Sequence, residues 1–504
     1  MKYIKRKIIF LFLYLARGFR DFLMKNESAY KILFAPGYES ARWRIGKWKA
    51  WLVFENARER TPAYKEFLKH ARWQLKVKGW DPDFSTIPPM DKESYIKKFP
   101  IEARCLNGKI PTAGVMIDES SGTSGTPNNW VRGIEERQAV KHILQISLHY
   151  LLGTEPLFLI NAFALGPWAT GMNVSISLVD VTILKSTGPD ISKIENTLNF
   201  FGPKYRYVIT GYPPFLKLLA DSKKVDWSKY NVTVIFGGEG MSEEMRAYLG
   251  KSFKKMYGSY GASDLEINIG AENDFTIALR QLMLKNDNLY KKLAHSEYGM
   301  VPMIFQYNPL DYYIETNKEG ELLVTLCRTS NISPKFRYNI HDLGHVWRIP
   351  ELKKTLKEFG IKIEDIAKQY SDLPLLFHYG RSDMSVAFYG CKITPQNIEE
   401  VVFSLPELAK IVSSFSLLIA EDESANKKLA IAIELQETTK ASSLDKNSLR
   451  IKVLEKLSEV NQDYRESAHM IPKDAEPQLE LHDFGQGPFA VNDIRLKKHY
   501  IQKQ

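Results

Sequence analysis

The sequence predicts an α/β protein in which a large N-terminal domain of several sheets precedes a smaller α+β domain. Strand-like and helix-like runs alternate between residues 128 and 253, and a similar pattern begins again near residue 380. The length of 504 residues also exceeds that of most single domains. We therefore predict three parts: a basic and apolar helix over residues 1–25, a large domain over 26–379 and a small domain over 380–504.

The first part begins "MKYIKRKIIFLFLYLARGF", where four basic residues precede an apolar run over 8–16. The run is shorter than the ~20 apolar residues that span a bilayer, and no small-residue cleavage site follows it. Two interpretations remain open. Residues 1–24 could lie in the membrane interface with basic side chains facing anionic headgroups, or they could form a helix packed on the body of the protein.

Residues 26–115 read mainly as helices, interrupted at Pro62 and at "TIPPM". The alternation that follows predicts strands and helices joined by crossover connections, so binding loops should lie at the carboxyl ends of the strands. The predicted strands are 128–133, 156–163, 205–211 and 232–241, and the predicted helices are 135–152, 192–201 and 242–253.

The C-terminal part is predicted to begin with a strand over 384–393, followed by a helix over 394–408. Thr394 is suited to cap that helix, and Pro395 to occupy its first turn. A strand over 428–437 and a helix over 442–460 complete the pattern.

Composition restricts the partners and the compartment. A hydrophobic fraction of 44% and a charged fraction of 25% are typical of a packed globular protein. The net charge of +10 permits contact with anionic lipid or a nucleotide. We predict no nucleic-acid partner, because the sequence has neither a zinc-finger spacing nor a long basic run. Three distant cysteines, Cys105, Cys327 and Cys391, argue against a disulfide framework and favour the cytoplasm.

The stretch "DESSGTSGTPNNW", residues 118–130, concentrates small hydroxyl and glycine residues before Pro127. Glycines let a backbone approach an anion, and hydroxyls add hydrogen-bond donors. A flexible linker is the other interpretation, and a Walker P-loop is excluded because no Gly-Lys-Ser/Thr follows. The candidate phosphate-binding residues are Ser120, Ser121, Gly122, Thr123, Ser124 and Gly125.

This stretch resembles the phosphate loop of the adenylate-forming enzymes, the superfamily of acyl-CoA synthetases and peptide-synthetase adenylation domains. Their loop reads Ser/Thr-Ser/Gly-Gly-Ser/Thr-Thr/Ser-Gly-x-Pro-Lys, and "SSGTSGTPN" departs from it only at Asn128, where the family usually has lysine. Two further stretches follow in the family's order, "FGGEG" and "YGASD". The first resembles the turn that lines adenine, which contains Gly238, Glu239 and Gly240.

The resemblance assigns four residues of "YGASD" to the nucleotide site. Tyr260 would stack on adenine, Ser263 would touch phosphate and Asp264 would hold Mg²⁺, with Gly261 among the nucleotide-binding residues. Asp264 stands where the family has glutamate, so its metal contact is expected to run through water.

Later motifs extend the resemblance. "FRYNIHDLG" places Asp342 where the family's aspartate accepts the ribose hydroxyls, and "GRSD" implies a nucleotide contact for Arg381 and a hinge at Asp383. Gly390 would open the loop that enters the site for a second half-reaction. The family's catalytic lysine near the C-terminus has two candidates, Lys497 and Lys498, of which we favour Lys498.

The resemblance implies an ATP- and acid-binding large domain and a mobile C-terminal lid, with Lys498, Thr123 and Asp264 as catalytic residues. The expected reaction joins a fatty or aryl carboxylic acid to AMP with ATP and Mg²⁺, then transfers the acyl group to a thiol, with coenzyme A the expected acceptor. "FALGPWATG" over 163–171 is similar to the phenylacetate–CoA ligase-like branch. Phe163, Trp168, Tyr212 and Phe236 could line an acid pocket or belong to the core.

Two alternatives remain open at this stage. The acyl group could pass to a carrier protein or a protein thiol instead of coenzyme A. The chain could also be a catalytically degenerate, nucleotide-binding scaffold at the membrane, because Asn128, Asp264 and the absence of the usual C-terminal Gly-Lys pair depart from the family.

Overall fold

A computed structural model describes residues 2–25, 36–119, 128–222, 224–295, 298, 300–368, 370–382, 386–388, 391–421, 427–461, 464–465, 468, 471, 476–490 and 501–503. It has a mixed α/β architecture built on one large sheet, which confirms the predicted fold class. The domain boundaries stay a prediction.

The large sheet has eleven strands in the order β12-β13-β14-β15-β11-β10-β9-β8-β7-β5-β6. Its strands are β5 Phe158–Asn161, β6 Ile183–Ser186, β7 Arg206–Gly211, β8 Asn231–Gly237, β9 Lys255–Tyr260, β10 Gly270–Ala271, β11 Met303–Gln306, β12 Tyr312–Thr316, β13 Glu321–Leu326, β14 Tyr338–Trp347 and β15 Leu375–Arg381. Strands β6, β5, β7, β8 and β9 are parallel to one another, whereas β10 to β15 pair antiparallel. Two short hairpins lie outside this sheet, β1 Lys76–Lys78 with β2 Asp81–Asp83 and β3 Met116–Glu119 with β4 Asn129–Arg132.

The helices of this region follow the predicted crossover pattern. They are α1 Lys2–Lys25, α2 Glu39–Arg60, α3 Pro62–Lys69, α4 Ile134–Leu152, α5 Ala169–Leu178, α6 Ile191–Phe201, α7 Pro213–Ala220, α8 Glu243–Leu249, α9 Asp274–Lys285, α10 Asp287–Leu293, α11 Ile349–Glu358 and α12 Ile363–Ile366. A π-helical turn over Lys92–Ile96 follows the short hairpin β1–β2. The predicted helices 135–152, 192–201 and 242–253 correspond to α4, α6 and α8.

The parallel part of the sheet is covered by helices on both faces. Phe158 and Ile160 of β5 belong to the core cluster that includes Ile194 of α6. Leu159, between them, belongs to the cluster formed with α4 and α5. Successive side chains of a strand point to opposite faces, so the uninterrupted apolar run of β5 is what a strand buried on both sides requires.

The C-terminal region has its own hydrophobic core, formed by residues between Val386 and Leu479. Its elements are β16 Val386–Phe388, β17 Cys391–Ile393, α13 Pro395–Ser404, α14 Pro406–Ala409, β18 Val412–Glu421, β19 Lys427–Leu435, α15 Lys446–Val460, β20 Gln478–His482 and β21 Ile501–Lys503. Four of the strands form a sheet in the order β20-β19-β18-β21.

One predicted strand of this region is wrong, whereas the predicted start of the helix that follows it is confirmed. The predicted strand 384–393 is two antiparallel strands, β16 and β17, because the chain reverses direction between Phe388 and Cys391. A glycine within an apolar run is a signal for such a break. The hydroxyl of Thr394 accepts the backbone N–H of Asn397 at 3.2 Å and caps α13, as predicted.

Helix α13 of the C-terminal region packs against α8, which follows strand β8 of the large sheet. The backbone N–H of Ser242 donates to the Glu399 carboxylate at 2.7 Å. Nearby, Nζ of Lys217 donates to the carbonyl of Val412 at 2.6 Å. The C-terminal region therefore meets the region of the large sheet next to the turn that carries Glu239.

Helix α1 packs on α2 through one of its faces, where Ile9 and Leu13 are buried. The ring of Phe10 lies 5.6 Å from that of Trp51, and Arg6 forms an ion pair with Glu55 at 3.4 Å. Among the described residues, no helix combines the length and the apolar character that crossing a membrane requires.

Candidate nucleotide and acid site

Two predicted motifs lie at neighbouring strand ends. Strand β8 ends at Gly237 and leads into Gly238, Glu239 and Gly240, while β9 ends at Tyr260. Because β8 and β9 are parallel neighbours, both turns leave the same edge of the sheet. This is where ligands bind in open α/β sheets.

The turn after β9 requires glycine at position 261. A Cβ atom on Gly261 would lie 2.7 Å from the carbonyl oxygen of Glu266 and 2.8 Å from the backbone nitrogen of Asn268. Both atoms belong to the backbone and cannot move aside cheaply. The close approach keeps the turn tight and brings Ser263 to the wall of a cavity.

Strand β14 connects this turn to the predicted ribose site. The hydroxyl of Tyr260 donates to Oδ2 of Asp342 at 2.8 Å, and Nε2 of His378 lies 3.2 Å from the same oxygen. Arg381 is the register partner of Asp342 on β15. The structure thus brings together Tyr260, Asp342 and Arg381, three of the predicted site residues.

Asp342 keeps its ionised form although it is buried. Burial alone would raise its pKa, but the nearby imidazole of His378, the hydrogen bond from Tyr260 and the charge of Arg381 hold the pKa of Asp342 below its usual value. An ionised carboxylate is a strong acceptor for paired hydroxyl groups. His378 was not predicted, because only the fold brings it to Asp342.

Asp264, the predicted metal ligand, has two partners on one carboxylate oxygen. The hydroxyl of Tyr338 donates to Oδ2 at 2.9 Å, and Nζ of Lys92 lies 3.4 Å from it. Across the described residues, no group of three or more His, Cys, Asp and Glu side chains is placed to hold a metal ion. Asp264 could therefore give Mg²⁺ a single carboxylate, which suits a nucleotide-bound ion whose other ligands are phosphates and water.

A buried charge cluster, which the sequence did not reveal, supports Ser263 from behind. The guanidinium of Arg132 bonds to Asp118 at 3.3 Å, to Glu136 at 2.8 Å and to the carbonyl oxygen of Ser263 at 2.5 Å. Burial raises the pKa of Asp118 and of Glu136, while Arg132 opposes the shift in both. The cluster links β3, β4 and α4 to the Ser263 turn.

Lys335 lies buried close to this cluster. Its Nζ is 4.6 Å from the centre of the Trp130 ring and 5.2 Å from that of Tyr338. No hydrogen-bond partner reaches Nζ within the part of the chain that is described. Burial, together with the charges of Arg132 and Arg104, lowers the pKa of Lys335 to about 7.

A cavity of about 160 Å³ opens between α4, α5 and the carboxyl ends of the parallel strands. Predicted site residues Gly238, Gly261 and Ser263 are part of its lining. Leu148, Val174 and other aliphatic side chains of α4 and α5 line the same cavity. The cavity therefore combines the turns after β8 and β9 with an apolar wall.

The aromatic residues proposed for an acid pocket divide into two groups. Phe163, Trp168 and Tyr212 line the cavity. Phe236 belongs to the core instead, where it packs under the guanidinium of Arg246. Among the lining side chains that the structure describes, Glu119 is the one acid and there is no lysine or arginine.

Several predicted residues lie outside the described part of the chain. These are Ser120, Ser121, Gly122, Thr123, Ser124, Gly125, Asp383, Gly390, Lys497 and Lys498. Glu119 and Asn129, which flank the predicted phosphate loop, are paired across β3 and β4. The two residues that flank the predicted phosphate loop therefore lie side by side, next to the cavity that Glu119 lines.

Comparison with known proteins identifies the fold. The chain aligns with 2-hydroxyisobutyryl-CoA ligase bound to an acyl-AMP in its postadenylation state, with a TM-score of 0.66, 14% identity and coverage of 94% of this chain and 91% of that chain. The fold is that of 2-hydroxyisobutyryl-CoA ligase. The structure of that ligase with 2-HIB-AMP and CoA in the thioesterification state gives a TM-score of 0.52 at 14% identity, covering 93% of this chain and 91% of that chain.

A third structure, the same ligase with 2-HIB-AMP in the postadenylation state, gives a TM-score of 0.65 at 14% identity, with coverage of 92% of this chain and 90% of that chain. No protein-family model matches the sequence, and the search of curated proteins found no match. At this identity the similarity establishes the fold, so the reaction has to be argued from the residues of this chain.

Proposed function

We propose that this chain uses ATP to adenylate an apolar carboxylic acid and then transfers the acyl group to a thiol, with coenzyme A as the acceptor. One observation carries the proposal: Gly238, Gly261 and Ser263 line the same cavity as the aliphatic side chains of α4 and α5. A nucleotide at the first group and an acyl tail among the second would bring a carboxylate to an α-phosphate.

The nucleotide would be held by the groups that surround Asp342. Asp342 would accept both ribose hydroxyls, and Tyr260 would orient that carboxylate through the 2.8 Å hydrogen bond. The ring of Tyr260 packs against Phe305 and His378, so the predicted stacking on adenine finds no support in these contacts. Arg381 and the 238–240 turn would contact the nucleotide, and the 120–125 loop would bind its phosphates through backbone N–H groups and hydroxyls. These proposed roles rest on the sequence motifs together with the observed contacts of Asp342.

The chemistry would proceed in two balanced steps. A carboxylate oxygen attacks the α-phosphorus, the bond to pyrophosphate breaks, and pyrophosphate leaves with the electron pair. A thiol sulfur then attacks the acyl carbon, the bond to AMP breaks, and the thiol proton passes to solvent. Thr123 and Lys498 would offset the charge that accumulates in the first step, and rotation at Asp383 would exchange Lys498 for the Gly390 loop in the second.

Mg²⁺ would neutralise the phosphates, with Asp264 as its protein ligand. Lys92 and Tyr338 hold Oδ2 of Asp264 in place, so Oδ1 would be the oxygen that contacts the ion. Lys92 would also keep a positive charge beside the phosphates, where the family's loop lysine is replaced by Asn128.

The cavity favours an acid with an uncharged, apolar acyl group. An apolar cavity of about 150 Å³ holds a molecule the size of benzene, and the cavity here is about 160 Å³. This size suits an aryl acid with one ring or an aliphatic acid with a short chain, in agreement with the phenylacetate–CoA ligase-like features of 163–171. A second carboxylate on the substrate would be buried beside Glu119 without a cation, which is unfavourable.

Two other functions remain as outcomes of the same test. A carrier-protein or protein thiol would replace coenzyme A in the second step alone. A degenerate scaffold would bind nucleotide without chemistry, in the cytoplasm or at the membrane.

ATP–pyrophosphate exchange across a panel of monocarboxylic and dicarboxylic acids tests the proposal. We expect exchange with monocarboxylic aryl or short aliphatic acids and little with the matching dicarboxylic acids. Nucleotide binding without exchange for any acid would contradict the proposed activity and support the scaffold. Exchange without thioester formation from coenzyme A would point to a different thiol.

Substituting Asp342→Asn tests the ribose site. We expect kcat/KM for ATP to fall roughly 10- to 100-fold, because hydrogen bonds to a charged acceptor are worth about 1.5–3 kcal/mol. The control is Asp287→Asn, an exposed carboxylate at the start of α10 whose loss should leave exchange unchanged. Equal activity of the two variants would remove Asp342 from the site.

Substituting Val174→Phe tests the acid recess. The larger side chain fills the space between α5 and α4, so KM should rise several-fold for ring-containing acids and less for small acids. The matched control is Val179→Phe, an exposed position directly after the same helix. A uniform loss for every acid would place the recess outside the substrate site.

A further inference from the structure

Helix α1 has an exposed apolar stripe opposite the face that packs on the protein. Four of its residues recur at helical spacing on one side. Ile4 is 62% exposed, Ile8 52%, Leu11 61% and Leu15 67%. On the other side Ile9 is 2% and Leu13 7% exposed. The helix is thus apolar on both sides, although one side alone has a partner among the described residues.

The described body of the protein holds α1 in place and leaves the stripe uncovered. Nζ of Lys5 donates to the carbonyl of Gly79 at 2.9 Å and lies 5.3 Å from the centre of the Trp80 ring. The ring of Phe12 packs edge-on against Trp48 at 6.2 Å. An arrangement of this kind presents the stripe as a fixed surface, with the large exposed ring of Trp80 beside it.

The charge of α1 identifies what would cover the stripe. The helix carries Lys2, Lys5, Arg6, Lys7, Arg17, Arg20 and Lys25 against the single acid Asp21. That net charge of +6 is more than half of the +10 of the whole chain. A second copy of the same helix would bring a second concentration of positive charge, whereas anionic lipid headgroups complement it.

We propose that the stripe formed by Ile4, Ile8, Leu11 and Leu15 docks this protein on an anionic membrane surface. The apolar side chains would enter the headgroup boundary, and the net positive charge of α1 would attract the helix to anionic headgroups. Tryptophan is favoured at this depth, which suits Trp80. The helix lies along the surface, anchored to α2 by its buried face. The two interpretations of the N-terminal sequence therefore apply to opposite faces of one helix.

Vesicle sedimentation of the full chain tests this surface. We expect the protein to sediment with phosphatidylcholine vesicles that contain about 30% phosphatidylserine, to sediment poorly with phosphatidylcholine alone, and to lose binding as salt is raised. The double substitution Ile8→Ser and Leu11→Ser should lower the partition coefficient at least about tenfold, since both exposed side chains would leave the lipid.

The matched control replaces two exposed apolar residues away from α1. Ile451→Ser and Phe200→Ser remove side chains that are 55% and 84% exposed, and should bind vesicles as the unaltered protein does. Equal unfolding midpoints of the three proteins would exclude misfolding as the cause of lost binding. Equal sedimentation of the stripe variant and the control, or a dimer in lipid-free solution that the stripe variant alone abolishes, would overturn the proposal.

Discussion

Buried carboxylates occur in two regions of this protein, and the regions differ in how their charge is balanced. Behind Ser263, Asp118 and Glu136 share one guanidinium, that of Arg132. At the contact between α8 and α13, Glu399 and Glu400 face further acids. The Arg132 cluster can hold the Ser263 turn in one position near neutral pH. The acidic contact, in contrast, changes its net charge as its carboxyl groups gain or lose protons.

The acidic contact involves groups from the region of the large sheet and from the C-terminal region. Burial raises the pKa of Glu399 to about 7, and Glu239 adds to the shift while the N–H of Ser242 opposes it. Burial and the charge of Glu244 raise the pKa of Glu400 to about 8, against weaker effects of Arg280 and Lys456. Arg280 is itself paired with Glu243 at 2.8 Å, so its charge is already shared.

The largest effect is expected from removing the cation of the balanced cluster. Arg132→Met would leave Asp118 and Glu136 buried without a counter-charge, and should lower the free energy of unfolding by about 3–5 kcal/mol. Urea unfolding of the variant and the unaltered protein measures this change in the free energy of unfolding. The control Arg44→Met removes an exposed guanidinium paired with Asp81 and should change stability by less than about 0.5 kcal/mol. Similar values for the two variants would contradict the distinction between the regions.

A smaller, pH-dependent effect is expected at the acidic contact. A carboxyl whose folded pKa is raised keeps its proton in the folded state while the unfolded chain loses it, so stability falls as pH rises from about 4.5 to about 8. Glu400→Gln removes one such group. Between pH 6 and pH 9 the variant should lose less unfolding free energy than the unaltered protein, by about 1–3 kcal/mol.

The matched control for that measurement is Glu455→Gln on α15, an exposed carboxylate. Its pH profile should follow that of the unaltered protein. If Glu400→Gln and Glu455→Gln give the same profile, the acidic contact does not titrate as described.

The smallest effect is expected at Lys335, a buried cation without a hydrogen-bond partner among the described residues. Lys335→Met should raise the unfolding free energy by about 1 kcal/mol, because a buried lysine can often be replaced by an apolar residue of similar volume. The folded pKa of about 7 is below that of the unfolded chain, so the gain should be largest at and below pH 7 and shrink towards pH 10. A gain that grew with pH would contradict this.

The two regions also show which parts of the structure could be predicted from the sequence and which could not. A local capping signal predicted Thr394, whereas the candidate turns at 238–240 and 261 and the candidate ribose site at Asp342 came from the resemblance to family motifs. Residues that act across the fold were missed: Lys92 reaches Asp264 from 172 positions earlier in the chain, and Arg132 reaches Ser263 across 131. No local pattern distinguishes a lysine or arginine of this kind from an exposed one.

The acidic contact was missed for the same reason. Glu399 follows the helix pattern of α13 and would be solvent-exposed if that helix stood alone. Its raised pKa exists because the fold buries the carboxyl against residues 239–242, where Glu239 adds to the shift and the N–H of Ser242 opposes it.

The most direct test of the central claim follows an oxygen atom. The protein is incubated with ATP, a thiol acceptor and a carboxylic acid whose carboxyl oxygens are oxygen-18. One labelled oxygen should appear in the AMP, because a carboxylate oxygen forms a bond to the α-phosphorus. That oxygen–phosphorus bond stays intact when the thiol displaces AMP from the acyl carbon. Mass spectrometry of the AMP reads this out. AMP without label, or label recovered in inorganic phosphate with ADP as the nucleotide product, would contradict adenylation by this protein.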